Sequence, residues 1–131
     1  MIKYLFLIGF LAALLLTSCE TEGTSPCTEE REASTIISTF PDSVKAGSNY
    51  PVNVQYVTES SCGEFERFEV TQNNKSFEVK MVTKYTGCSC KLELVEHQID
   101  YNIDIGFPGT YEFRFWLAGG DYDVRTVTVF E

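Results

Sequence analysis

The chain is poor in the residues on which much protein chemistry depends. It has one histidine and one tryptophan. Only 10 Lys and Arg stand against 19 Asp and Glu, for a formal charge of −9. A chain this acidic repels phosphate backbones, which argues against nucleic acid as a partner and against an electrostatic grip on anionic lipid. There is no Gly-x-Ser-x-Gly turn, no phosphate-cradling glycine loop and no Cys-x-x-Cys pair, so serine-hydrolase, P-loop and thioredoxin-type chemistry have no foothold. Helical periodicity is absent as well. The longest apolar run, Tyr4 to Leu16, covers about 13 residues, short of the ~20 that a helix needs to cross hydrocarbon. No catalytic residue, metal site or cofactor is singled out, and the expectation is a protein that is not an enzyme.

What is present starts at the N-terminus. Lys3 is followed by the apolar run and then by Leu16-Thr17-Ser18-Cys19. One cation, a short apolar core and small residues before a cleavage point make a secretory signal peptide over residues 1–18. The last four of these residues resemble the lipobox of bacterial lipoproteins. That resemblance implies that Cys19 is lipidated and becomes the first mature residue. Acyl chains contribute roughly 0.8 kcal/mol per buried methylene, so the expected location is a bacterial cell envelope, with the domain held to a membrane, the outer membrane being the expected one, through its lipid anchor. Cleavage removes Lys3 and no acid, so the charge moves from −9 to −10.

Four cysteines remain after Cys19: Cys27, Cys62, Cys88 and Cys90. An even number in an exported chain points to two disulfides, with three connectivities open. Cys88 and Cys90 are too close in sequence to meet disulfide geometry with each other, which leaves Cys27 and Cys62 to divide between them.

Residues 19–32 are polar and acidic, with Gly and Pro, and read as a flexible tether. Residues 33–131 read as one all-β domain. Apolar residues alternate with polar ones in about seven segments: 34–40, 50–58, 65–72, 76–85, 91–105, 110–118 and 123–130. Val52, Val54 and Tyr56 share a face, as do Phe77, Val79 and Met81. Tyr111, Phe113, Phe115 and Leu117 point inward, with Val127 and Val129 doing so in the last segment. Gly119-Gly120-Asp121 marks a hairpin turn.

Short strands with turns every ten or so residues predict an immunoglobulin-like antiparallel β-sandwich. Pro108-Gly109-Thr110-Tyr111-Glu112-Phe113 resembles the penultimate strand of immunoglobulin-like domains, in which an early Tyr closes the corner with its hydroxyl. The resemblance covers about six residues. The inter-sheet disulfide and buried tryptophan of antibody domains are missing. A lipocalin-like barrel, the alternative, needs more strands and a longer chain. Strand alternation gathers all four cysteines at one pole of the sandwich, beside the tether.

Trp116 stands on the outward parity with Arg114, and Tyr122 lies at the hairpin tip, so these three are the candidate contacts for a protein or glycan partner. Cys88-Ser89-Cys90 could clip a soft metal, although structural disulfides are the preferred reading. Asp100, Asn102 and Asp104, with Asp121 and Asp123, suggest calcium oxygens, but Ile105 occupies the place where a calcium loop needs Gly. His97, on the apolar parity, reads as a satisfied residue. Asp42-Ser43-Val44 resembles the O-glycosylation acceptor of Bacteroidetes over three residues. The functional expectation is a binding or accessory module. The alternatives are an inhibitor or immunity-type lipoprotein that blocks an enzyme with its loops and, ranked lower, a metal-handling lipoprotein.

Overall fold

A computed structural model describes residues 27–131 of the protein. The apolar run and Cys19 lie outside the described residues. Nine strands follow in chain order: β1 (Thr28–Ala33), β2 (Thr35–Ile37), β3 (Ser43–Lys45), β4 (Asn49–Ser60), β5 (Gly63–Asn73), β6 (Ser76–Thr86), β7 (Leu92–Asp104), β8 (Gly109–Trp116) and β9 (Tyr122–Phe130). No helix occurs among the described residues.

The strands form two facing sheets, the expected β-sandwich. The first sheet is built around β6. Along one edge of β6 runs β5. On the other edge β8 pairs in parallel with Ser76 to Val79, and β1 takes over antiparallel from Met81 to Thr86. β8 continues to β9, and β9 to the short parallel strand β3. The second sheet has the order β2-β4-β7. Two pairings, β6–β8 and β3–β9, are therefore parallel within an otherwise antiparallel sandwich.

Period-2 alternation explains the core. Residues i and i+2 of a strand share a face, and the apolar parity of each long strand turns inward. Val52, Val54 and Tyr56 of β4 are buried, as are Val79 and Met81 of β6, Phe113 and Phe115 of β8, and Val127 and Val129 of β9. An aromatic cluster fills the middle. Phe77 stacks on Phe113 at 4.9 Å, and Tyr101 meets Phe115 edge-on at 5.7 Å. Phe68 meets Tyr101 at 5.1 Å and so ties β5 to β7 across the sandwich. Such offset or edge contacts add about 0.5–1.5 kcal/mol each beyond area burial.

The N-terminal part of the domain differs from expectation. Residues 28–32, expected within the flexible tether, belong to β1. The expected strand 34–40 shrinks to β2, and the chain crosses between the sheets at Ser34. The physical reason is that β1 is held by backbone pairing to β6 and by cross-strand ion pairs instead of by apolar side chains. Glu32 pairs with Lys80 at 3.2 Å, Glu30 with Arg67 at 2.8 Å, and Arg31 with Glu59 at 3.0 Å. A strand with so little apolar content gives no alternation signal. The segment 91–105, expected as one long strand, is one strand with no break at His97. Leu117 leaves β8 and instead bonds through its amide to the Asp121 carbonyl, closing the hairpin.

Candidate functional site

The four cysteines meet at one pole. Cys27 is bonded to Cys88, and Cys62 to Cys90. Backbone bonds brace the junction: the Gly87 amide donates to the Cys27 carbonyl at 2.9 Å, and the Ser61 amide to the Lys91 carbonyl at 3.0 Å. Gly87 has a φ of 136°, and a Cβ there would sit 3.2 Å from the Cys62 sulfur, so the loop takes glycine for both conformation and space. With both sulfurs engaged in disulfides, Cys88 and Cys90 offer no thiolate pair for a soft metal.

Beside this pole lies an open cleft of about 250 Å³ lined by Arg31, Glu59, Tyr85 and Leu92, among others. The Arg31 guanidinium sits 5.0 Å over the Tyr85 ring and also pairs with Glu29 at 2.8 Å. Those hydrogen bonds and the carboxylate charges raise its already high pKa. Leu92 of the lining is 88% exposed, and Leu94, two residues further along β7, is 78% exposed. Two such large aliphatic side chains on the outer face of a strand, next to a loop closed by disulfides, form an apolar projection. Sequence reasoning missed them because it followed the other parity of β7. Two leucines on the polar parity were the available signal.

The sequence-predicted partner residues gather on the outer face of the first sheet. Register places Arg114 opposite Glu78 and Trp116 opposite Tyr122. The Arg114 guanidinium lies 4.8 Å over the Tyr122 ring, and the Tyr122 hydroxyl donates to Glu78 at 2.8 Å. That hydrogen bond, with a smaller contribution from burial, raises the Tyr122 pKa above its ordinary value. Trp116 is half-buried. Its carbonyl accepts from the Thr35 hydroxyl at 3.2 Å, where the chain passes between the sheets. The three residues are therefore brought together, with two of them already engaged in one cation–π and hydrogen-bonded chain.

The other candidates separate. Asp100, Asn102 and Asp104 lie exposed along β7. Alternate residues of a strand stand roughly 7 Å apart, too far for one ion to take all three. Asp123 is bonded to Arg125 at 2.8 Å. Among the described residues no group of three or more His, Cys, Asp or Glu side chains could hold a metal ion. His97 stacks on Tyr56 at 4.9 Å, and its Nε2 lies 2.9 Å from the hydroxyl of the fully buried Thr58. Ser43 opens β3 and is exposed.

Fold and surface together define a disulfide-braced β-sandwich whose distinctive features are surface features. Residues 52–129 match the model of the ORF11 beta-sandwich domain, and the chain belongs to that family. The matched segment runs from β4 into β9 and leaves out β1, β2, β3 and Cys27. No curated protein and no solved structure matches the chain.

Proposed function

We propose that the protein is a lipid-anchored binding module of a bacterial cell envelope, without catalytic activity. One observation carries the reading: the disulfide-braced pole is the end of the domain that the N-terminal segment enters. The lipobox-like Leu16-Thr17-Ser18-Cys19 ends eight residues before Cys27, and Cys27 is bonded to Cys88. Disulfides belong to oxidising, extracytoplasmic compartments, in agreement with an exported chain. Eight extended residues reach at most about 30 Å, so lipid on Cys19 would hold this pole close to the bilayer. The Trp116, Arg114 and Tyr122 face would remain available to a protein or glycan.

The experiment is fractionation of Cys19→Ser against the wild type, with labelled fatty acid. The variant is expected in the soluble fraction and without label. A variant that still sediments with membranes, together with an unlabelled wild type, overturns the anchor.

The exposed Leu92 and Leu94 favour a second reading, an inhibitor or immunity-type lipoprotein that seats these side chains in an enzyme's cleft. Leu92→Ser with Leu94→Ser would abolish inhibition of the target while leaving partner capture through Trp116 intact.

A further inference from the structure

β7 occupies one edge of the second sheet and pairs only with β4 among the described residues. At 13 residues it is the longest of the nine strands, more than twice the usual ~5–6. Natural proteins blunt such edges with charged side chains, above all Lys, or with Pro, bulges or brevity. β7 contains no Pro and no Lys. The one irregularity in its ladder is a bulge in β7 itself, where Glu93 and Leu94 stand against Glu59 alone, and Val95 to Asp104 pair without a break. Its outward face reads Leu92, Leu94, Glu96, Gln98, Asp100, Asn102 and Asp104. The facing residues of β4 beside Glu96, Gln98 and Asp100 are Val57, Gln55 and Asn53, none of them charged. Glu96, Asp100 and Asp104 take part in none of the ion pairs found among the described residues.

We propose that the free edge of β7 receives an extended, basic strand of a partner protein. Main-chain hydrogen bonds supply affinity in such strand addition, and alternate side chains supply specificity. Glu96, Asp100 and Asp104 recur every fourth residue, so an antiparallel strand meets them with Lys or Arg at every fourth position. Beyond the last cation it carries an apolar residue to lie against Leu94. The same acids bar a second copy of this chain. Antiparallel pairing of two β7 edges about Gln98 sets Glu96 opposite Asp100 twice, and like charges directly opposite destabilise a ladder. The inference rests on the binding-module reading only in that the domain holds a partner; the anchor does not enter it.

The test is titration of the exported full chain with a synthetic peptide of Thr and Val, carrying Lys at every fourth position and Leu after the last. Saturable binding is expected, and Asp100→Lys weakens it about tenfold, equivalent to about 1.4 kcal/mol. Methylating the peptide amides that face β7 abolishes binding, since it removes donors without changing charge. Equal binding of the methylated peptide would show ionic attraction alone and overturn the proposal. So would failure of the unmethylated peptide to bind, or a dimer that Asp100→Lys alters. If Cys19→Ser leaves membranes but still binds the peptide, the edge inference and the anchor are both supported. A membrane-anchored chain that ignores the peptide sinks the edge inference alone.

Discussion

The Tyr111 hydroxyl donates a 3.1 Å hydrogen bond to the carbonyl oxygen of Phe107, four residues earlier. The Tyr111 ring is buried, while the Phe107 side chain is 78% exposed. The bond thus pins the loop between β7 and β8 from inside the sandwich, as the tyrosine corner does in immunoglobulin-like domains. Gly109, between the two, has a φ of 148°, a conformation that favours glycine. Tyr111→Phe keeps the ring and removes the bond. Water can reach the loop carbonyl in the variant, so the expected cost is about 1 kcal/mol, the low end for a lost hydrogen bond. Chemical denaturation measures it, and an unchanged midpoint would refute a structural role for the corner.

The two disulfides close segments with sequence separations of 61 and 28 residues. The chain-entropy relation gives about 4 kcal/mol for the longer loop and about 3.5 kcal/mol for the shorter. Replacing either pair with Ser should therefore destabilise the domain heavily, with Cys27→Ser and Cys88→Ser the more damaging pair. Intact mass with and without reduction, followed by peptide mapping, should recover the pairings Cys27–Cys88 and Cys62–Cys90.

Gly63 lies where β5 begins against β4. A Cβ there would stand 2.6 Å from the Thr58 Cβ and 2.7 Å from the Tyr85 ring. Thr58 is fully buried and its branched Cβ cannot swing aside. Gly63→Ala should cost about 1–3 kcal/mol, as overpacking does. A thermal midpoint equal to wild type would count against this close approach.

Burial pushes the Tyr101 hydroxyl up to about 12, against about 10 in an unfolded chain. Between these values the folded state keeps a proton that the unfolded state loses, so stability falls as pH rises. The contribution is intact below about pH 10 and is progressively lost toward pH 12. Tyr101→Phe has no proton to lose. Its denaturation midpoint should decline less steeply than wild type across that window.

Trp116 is half-buried, so Trp116→Ala should remove part of its packing, about 1–2 kcal/mol. Partner or glycan capture should fall at least about tenfold if the side chain is a binding hot spot. Tyr122→Phe provides the contrast: it breaks the bond to Glu78 but keeps the ring beneath Arg114. A loss of folding in Trp116→Ala, without prior loss of binding, would return Trp116 to the core.

Much of this architecture was legible in the sequence because alternation is local. The parity of Val52, Val54 and Tyr56, or of Tyr111, Phe113 and Phe115, states which face is buried without knowledge of the partner strand. The corner tyrosine, the Gly119-Gly120 turn and the need for two disulfides are local in the same sense. Pairing is not local. The parallel β6–β8 contact, the division of the N-terminal chain between two sheets and the choice of Cys88 for Cys27 depend on residues far apart in sequence. β1 shows the limit most clearly: Thr28 to Glu32 looks like a solvated tether until Lys80, Arg67 and the backbone of β6 stand opposite. Leu92 and Leu94 show it from the other side, since an apolar residue is exposed or covered according to what the tertiary structure lays over its strand. Side-chain chemistry along the chain determined which segments could be strands, and long-range hydrogen bonding decided which edges they share and, among the described residues, which edge of β7 is left open.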